Sequence, residues 1–171
     1  MSDLVIKFMC SYNIISMETE KILAMYPAKM DNILNILHSL QDAHPRNYLP
    51  EETLRKVAYY LNTTLSSVYG VVNYYTMLST VPRARHIVRL CHSPVCHLMG
   101  SGTVQEELEK QLGVGLNEPT SDGLFWVEHS ECLGICDVAP AMVIDQEPYG
   151  YLTGDGIAKI LSEIRNKDNG N

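Results

Sequence analysis

The chain contains 171 residues, of which 46% are apolar and 19% charged, and it carries a formal net charge of −7. This apolar content is sufficient for a packed core, so a largely disordered chain is excluded. The negative charge and the absence of any run of basic residues exclude nucleic acid as a partner, because phosphate binding depends on clustered Lys and Arg. We expect one ordinary domain or two small ones.

Residues 1–17 are mildly apolar, but polar and charged residues interrupt them and no small-residue cleavage site follows, so they do not resemble a signal peptide. No stretch approaches the about 18 uninterrupted apolar residues that a membrane-spanning helix needs. We therefore expect a soluble, cytoplasmic protein without direct membrane insertion. In a reducing compartment, paired cysteines are more often metal ligands or redox thiols than disulfides.

The first half of the chain has a helical period. Apolar residues recur three and four positions apart, and polar or proline-containing segments divide them into helices. His44-Pro45 ends the first predicted helix, Pro50-Glu51-Glu52 begins the second, and Asn62-Thr63-Thr64 separates the second from the third. We predict an N-terminal bundle of three to four helices over residues 18–80.

The period changes at Val81–Arg85, a proline-containing segment that we interpret as a linker. Polar and apolar residues then alternate over His86–Leu90, as is typical of a β-strand. We expect Ser101 to cap the following helix and Gly113 to end it. The pattern predicts a second domain over residues 84–166.

The remainder of this domain is predicted as a turn, three strands and a closing helix. In chain order these are Asp122-Gly123, Leu124–Glu128, Met142–Ile144, Tyr149–Tyr151 and Gly154–Arg165, with a hairpin turn at Glu147-Pro148 and a polar tail over residues 166–171. This order of elements indicates a small α/β layer. The fold class of the whole chain is therefore expected to be α+β.

Four of the five cysteines form two close pairs, Cys91 with Cys96 and Cys132 with Cys136. Each pair falls on a loop that follows a predicted strand, and we expect both loops to lie at one end of the sheet. Four thiolates brought together in this way could bind a [2Fe-2S] cluster or a structural zinc, and the pairs could also form disulfides. The spacing alone leaves these alternatives open.

Four motifs together resemble those of one protein family. They are Cys91–Cys96 (Cys-His-Ser-Pro-Val-Cys), Thr120–Phe125 (Thr-Ser-Asp-Gly-Leu-Phe), Glu131–Pro140 with its Cys-Leu-Gly-Ile-Cys-Asp-Val-Ala-Pro, and Tyr151–Thr153 (Tyr-Leu-Thr). The chain resembles the thioredoxin-like [2Fe-2S] ferredoxin subunit, of the 24-kilodalton type, found in NADH-linked complexes. These complexes include NADH dehydrogenase, NAD-reducing and electron-bifurcating hydrogenases, and formate dehydrogenase. The likeness extends into the helical half, and residues 1–17 look like an extension outside the shared core.

The resemblance implies a thioredoxin-like fold for the second domain and one [2Fe-2S] cluster held by four cysteines, namely Cys91, Cys96, Cys132 and Cys136. It also implies a partner subunit, a flavoprotein that carries FMN, an NAD(H) site and a [4Fe-4S] cluster. Single electrons would pass between that flavin and the cluster of this chain. The sequence contains no nucleotide-binding Gly-x-Gly-x-x-Gly motif after a strand and no Walker motif, so the NAD chemistry would belong to the partner. Which complex the chain serves does not follow from its sequence.

Two alternatives come from other functional classes. A thioredoxin-like oxidoreductase would exchange disulfides, but it ordinarily uses a Cys-x-x-Cys pair and both spacings here are longer. A zinc-stabilised interaction module would have a redox-inert site. A visible absorption spectrum distinguishes the three, since only an iron–sulfur cluster is brown and bleaches with dithionite.

The motifs do not decide the roles of four further residues. Gly134 either allows its loop to approach the cluster closely or serves a tight turn with positive φ, and the two interpretations have equal weight. Cys10 has no neighbouring ligand candidate and is interpreted as a core or surface thiol. His92 and His97 each follow a candidate ligand and are expected to face solvent or to hydrogen-bond near the cluster.

Aromatic residues are concentrated near the ends of the predicted helices. We expect them to be exposed and to anchor the flavoprotein partner, since aromatic side chains are enriched at interfaces. These residues are Tyr59, Tyr60, Tyr74 and Tyr75.

Overall fold

A computed structural model describes residues 18–170 of the chain. Cys10 and the remainder of residues 1–17 lie outside this range. The chain divides into two compact units between Pro82 and Arg83. No helix within the described range is both long and apolar enough to cross a bilayer.

The first unit is helical. Its helices are α1 (residues 18–24), α2 (Ile33–Asp42), α3 (Glu51–Tyr60) and α4 (Leu65–Tyr74). Helix α3 follows Pro50 and carries two glutamates in its first turn, where negative charge interacts favourably with the helix dipole. Helix α4 is capped by Thr64, whose hydroxyl oxygen accepts a 3.2 Å hydrogen bond from the Ser67 N–H. The sequence predicted these starting points for α3 and α4, which are the second and third of the predicted helices.

One apolar core joins these helices. Its fully buried side chains come from the predicted helical stripes and include Ile36, Leu37, Leu54, Val57 and Val68. The side chain of Gln41 is also buried, and its amide group holds the segment after α4 in place. It donates to the Met77 carbonyl at 2.9 Å and accepts from the Ser79 N–H at 2.8 Å.

The second unit contains a four-stranded sheet and three helices. In chain order the elements are β1 (His86–Cys91), α5 (Pro94–Leu98), α6 (Ser101–Leu112), β2 (Phe125–Ser130), β3 (Met142–Ile144), β4 (Glu147–Tyr149) and α7 (Gly154–Asn169). The strands lie in the order β2-β1-β3-β4. Strand β1 pairs parallel to β2, whereas β3 runs antiparallel to both β1 and β4.

Alternate residues of the strands pack against the helices. Val88 and Leu90 of β1 and Phe125 of β2 join Leu108 of α6 and Ile157 of α7 in one buried cluster. Burial of apolar side chains of this size stabilises a domain by roughly 1.5–3 kcal/mol each, so this core accounts for much of the favourable free energy of the unit.

A charged cluster lies on the paired strands β1 and β2 and on the segment before β1. The Glu128 carboxylate accepts hydrogen bonds from Arg89 Nε at 3.0 Å, from Arg83 Nη1 at 3.1 Å and from Trp126 Nε1 at 3.0 Å. Arg83 and Ala84, which the sequence placed in the linker, are both buried in the second unit. The linker is therefore shorter than predicted and ends at Pro82, because Arg83 belongs to the second unit and pairs with Glu128.

Two predicted boundaries in the second unit were wrong. The α6 cap is Gly100, at φ +97°, and Ser101 is the first residue inside the helix. The hairpin turn lies at Asp145-Gln146 and not at Glu147-Pro148, since Asp145 adopts φ +56° and the proline belongs to β4. Strand β4 is at the sheet edge, where a missing N–H costs little.

The closing helix is also longer than predicted. Residues that were assigned to a polar tail continue α7 to Asn169, while Gly113 ends α6 at φ +71° as expected. The Asp168 carboxylate explains the extension, because it binds His86 Nε2 at 3.1 Å and Arg85 Nη2 at 3.2 Å. A polar last turn is therefore held against the start of β1 by charge and not by apolar packing.

We predict that Glu128→Gln destabilises the second unit by about 3 kcal/mol, because it leaves two buried guanidinium groups without a full counter-charge. The control is Glu163→Gln, which removes an exposed pair with Lys159 on α7 and should cost less than about 1 kcal/mol. Urea unfolding followed by the fluorescence of Trp126, the only tryptophan in the chain, measures both. Equal urea midpoints of unfolding for the two variants would contradict the prediction.

Candidate metal centre

Parallel pairing of β1 with β2 positions the two cysteine loops. Cys91 is the last residue of β1 and lies opposite Ser130, the last residue of β2. The carboxyl ends of paired parallel strands lie side by side, so the loop after β2 that carries Cys132 begins beside Cys91. This confirms the expectation that both loops lie at one end of the sheet.

The first pair is buried. Cys91 and Cys96 are 1% and 2% exposed and pack with Ala139 and Ala141. The Cys91 N–H donates to the Ala141 carbonyl at 3.1 Å, which fixes the end of β1. Cys96 lies in the short helix α5, whose first residue is a proline.

The second pair is exposed and its thiols are adjacent. Cys132 Sγ and Cys136 Sγ are 3.6 Å apart. The side chains of Leu133 and Ile135, on the same loop, pack against the buried cluster that contains the first pair. The apolar residues between the second pair of cysteines therefore hold the two loops together. All four described cysteines are free thiols.

Gly134 turns the second loop. Its φ of +79° lies in the left-handed region that side chains rarely adopt, which confirms the interpretation as a turn residue. A Cβ atom at this position would meet no described protein atom within 4 Å. A substitution would therefore act through backbone strain and not through a clash with the protein.

Backbone N–H groups contact the sulfurs of the buried pair. Burial opposes ionisation of Cys91, yet N–H groups of Ser93 and Leu133 donate to its sulfur and lower the pKa of this thiol. The Ala141 N–H donates to Cys96, but burial and the neighbouring Cys91 raise the pKa of Cys96. The sequence did not identify Leu133 and Ala141 as donors to these sulfurs, because contacts between separate segments leave no local pattern.

In each cysteine pair, one thiol makes ionisation of its partner thiol less favourable. The neighbouring Cys132 raises the pKa of Cys136, as Cys91 does for Cys96. Two thiolates in one pair repel each other, so a bound cation favours the doubly ionised form and its binding releases protons. Four sulfurs, apolar surroundings and N–H donors to sulfur suit a soft metal centre.

The histidines beside the cysteines contact one another. His92 and His97 are exposed, which agrees with the first of the two roles expected for them, and their ring centroids are 5.3 Å apart. His92 also stacks on His129 at 4.4 Å, and burial together with His92 lowers the pKa of His129. His129 was not identified from the sequence, since only the strand pairing brings it close. Within residues 18–170, no three His, Cys, Asp or Glu side chains are placed to hold a single metal ion.

Most of the aromatic side chains assigned to docking are exposed. Tyr59, Tyr74 and Tyr75 are 91%, 79% and 41% exposed. Tyr60 was wrongly included, since it is partly buried and its hydroxyl donates to the Tyr26 carbonyl at 2.6 Å.

Comparison with known proteins decides between the possible centres. Residues 19–165 match the profile of the thioredoxin-like [2Fe-2S] ferredoxins. The chain belongs to this family. The family is defined by a [2Fe-2S] cofactor, so the zinc, disulfide and thiol-exchange alternatives are set aside, and the chain is an electron-transfer protein.

Characterised relatives are components of oxidoreductase complexes. One subunit of the NADH-quinone oxidoreductase of Pseudomonas aeruginosa is 40% identical over 68% of this chain and 70% of its own length. Its counterpart in the NADH-quinone oxidoreductase of Aquifex aeolicus is 36% identical over 80% of this chain and 84% of its own. HndA, a subunit of the NADP-reducing hydrogenase of Solidesulfovibrio fructosivorans, is 30% identical over 85% of this chain and 84% of its own.

A solved structure has the same fold. A chain in the crystal structure of an NAD+-reducing [NiFe]-hydrogenase in the H2-reduced state superposes with a TM-score of 0.68 at 20% identity. The match covers 79% of this chain and 22% of that one, so this ferredoxin spans about a fifth of the hydrogenase chain. At this identity the likeness shows the fold alone.

We predict that Gly134→Val lowers the reduction potential of the bound cluster by tens of millivolts, about 59 mV being a tenfold change for a one-electron couple. A β-branched residue resists φ +79°, so the loop shifts and the adjacent Leu133 N–H moves away from the Cys91 sulfur. Gly123→Val is the control, since it strains a turn of φ +69° before β2, remote from the cysteines. A redox titration in which both variants match the unmodified protein would argue that Gly134 serves the turn alone.

Proposed function

We propose that this ferredoxin is an electron-transfer subunit that holds one [2Fe-2S] cluster and exchanges single electrons with the FMN of a partner flavoprotein. The proposed ligands are Cys91, Cys96, Cys132 and Cys136. The partner would oxidise or reduce NAD(H), carry a [4Fe-4S] cluster, and belong to a cytoplasmic or membrane-associated complex. The observation that supports the proposal is that the two cysteine-bearing segments lie at the same end of β1 and β2 and pack together through Leu133 and Ile135.

The residues of this chain would supply geometry and electrostatics. Each pair is expected to hold one iron, because thiols on one loop reach the same metal most easily. When bound, the cluster supplies a one-electron couple. The N–H groups of Ser93, Leu133 and Ala141 stabilise negative charge on sulfur, and the apolar side chains of Leu133 and Ile135 limit access of water to the buried pair.

A partner is supported by the names of the relatives and by what the sequence lacks. The relatives are subunits of an NADH-quinone oxidoreductase and of an NADP-reducing hydrogenase. This chain has no recognisable nucleotide-binding motif, so the nicotinamide chemistry would take place on another subunit. Electron bifurcation, which occurs in some members of the family that the sequence resembles, would depend on the partner's flavin.

The helical unit would bind that partner. The sequence predicts a docking bundle over residues 18–80, separate from the cluster domain over residues 84–166. Three exposed tyrosines, Tyr59, Tyr74 and Tyr75, lie on or directly after helices that provide no metal ligand. Exposed aromatic side chains of this kind often dominate the binding energy of an interface.

The ligand assignment predicts the metal content. Full-length protein purified without oxygen should contain two irons and two sulfides per chain. Substitution of any one of the four cysteines by serine should lower the iron content and weaken the visible absorption that dithionite bleaches. Cys10→Ser is the matched control and should retain full iron. Stoichiometric zinc without sulfide would contradict the proposal.

The docking assignment predicts which substitutions weaken the complex. The double variant Tyr59→Ser/Tyr74→Ser should reduce recovery of the flavoprotein with tagged full-length chain at least tenfold, because each tyrosine anchor contributes about 2 kcal/mol. Iron content should be unchanged, and NADH should no longer bleach the cluster efficiently in the recovered sample. Leu98→Ser is the control, since Leu98 is 84% exposed on α5 in the second unit. Loss of the flavoprotein in this control alone would place the docking surface on the cluster domain.

A further inference from the structure

The segment Gly150–Leu152 is bound to the loop that carries Cys136. Cys136 begins a short 3-10 turn, Cys136–Val138. The Tyr151 N–H donates to the Val138 carbonyl at 2.7 Å, and the Leu152 N–H donates to the Pro140 carbonyl at 3.3 Å. The Tyr151 hydroxyl donates to the Asp137 carbonyl at 3.2 Å. Tyr151 therefore binds the two carbonyl groups that directly follow the first residue of this turn.

The backbone of Tyr151 is unusual. Its φ of +49° lies in the left-handed region, where a large side chain is strained. Packing does not explain this conformation, because 70% of the residue is exposed. The contact that the conformation makes is the hydroxyl bond to Asp137. Tyr151 is exposed and strained, and its hydroxyl reaches the loop that carries Cys136. The hydrogen bond to this loop is therefore the best explanation of the strained conformation.

The neighbouring glycine permits the close approach. A Cβ atom at position 150 would lie 2.4 Å from Val138 Cβ and 2.7 Å from the Val138 carbonyl oxygen. Only glycine fits this contact, since real Cβ atoms are not found so close to backbone. The two segments are therefore in direct backbone contact beside Cys136.

We propose that Tyr151 is a positioning residue for Cys136, which holds the exposed half of the ligand set in place through two hydrogen bonds to the 3-10 turn. The proposal rests on the proposed function, in which Cys136 is a ligand. Cys136 is exposed and lies on a loop, so its retention depends on how often that loop opens. The N–H and hydroxyl of Tyr151 oppose opening at two consecutive carbonyl groups.

The test is Tyr151→Phe, which removes the hydroxyl and keeps the ring. Loss of one hydrogen bond should make the release of iron to a chelator roughly three- to tenfold faster. The electron paramagnetic resonance spectrum of the dithionite-reduced protein should also change, because the Cys136 sulfur is less firmly oriented. Thermal unfolding of the cluster-free protein should be nearly unchanged, which separates positioning from general stability.

Two further variants complete the experiment. Tyr74→Phe removes an exposed hydroxyl from the helical unit and should release iron at the unmodified rate. Tyr151→Asn tolerates positive φ but lacks the ring, so it should release iron as fast as Tyr151→Phe. If relief of backbone strain were the controlling effect, Tyr151→Asn would instead hold iron at least as firmly as the unmodified protein, and the proposal would be wrong.

The outcomes separate this proposal from the function on which it rests. An unmodified protein without two irons and two sulfides would overturn both. An unmodified protein that holds the cluster, with Tyr151→Phe identical in release rate and resonance spectrum, would overturn the positioning role alone. Faster release in Tyr151→Phe with an unchanged rate in Tyr74→Phe is the result that we expect.

Discussion

The parallel pairing of β1 with β2 is the constraint on which the rest of the site depends. Cys91 and Ser130 end neighbouring strands in register, so both cysteine loops leave the sheet at one edge. An antiparallel pairing of the same strands would place the loops at opposite edges. Parallel neighbours need a crossover, and α6 supplies it between the two strands. The buried core under β1 and β2 therefore stabilises the position of the thiols as well as the fold.

The pairing of β1 with β2 also brings ionisable side chains together at two places along the strands. The charges are compensated by protein groups at one place and not at the other. Along the paired strands β1 and β2, the Glu128 carboxylate is paired with Arg83 and Arg89, so this buried cluster is neutralised within the protein. At the carboxyl ends, one thiol of each pair raises the pKa of the other, and no protein cation among the described contacts compensates them. This difference is consistent with a structural role for the first cluster and metal binding by the second.

The two halves of the site also differ in exposure. Cys91 and Cys96 are enclosed by Ala139, Ala141 and the apolar residues of the second loop, whereas Cys132 and Cys136 lie at the surface. Buried ligands retain a metal by excluding competitors, while exposed ligands need contacts that keep their loop closed. The side chains of Leu133 and Ile135 and the hydrogen bonds of Tyr151 supply such contacts, while Gly134 provides the turn that the loop needs.

The sequence by itself predicted helices α2, α3 and α4 of the first unit and the placement of both cysteine pairs after strands, because each depends on residues close together in the chain. Helix α1 was not predicted, and the role of Gly134 was left open between a turn and a close approach. Only the tertiary structure identified the N–H donors of Leu133 and Ala141, the stacking of His92 on His129, and the hold of Tyr151 on the Cys136 loop. It also moved the hairpin turn to Asp145 and extended α7 through Asp168, whose partners lie at the start of β1. These features arise between segments distant in sequence, where pairing and charge contacts override local propensity.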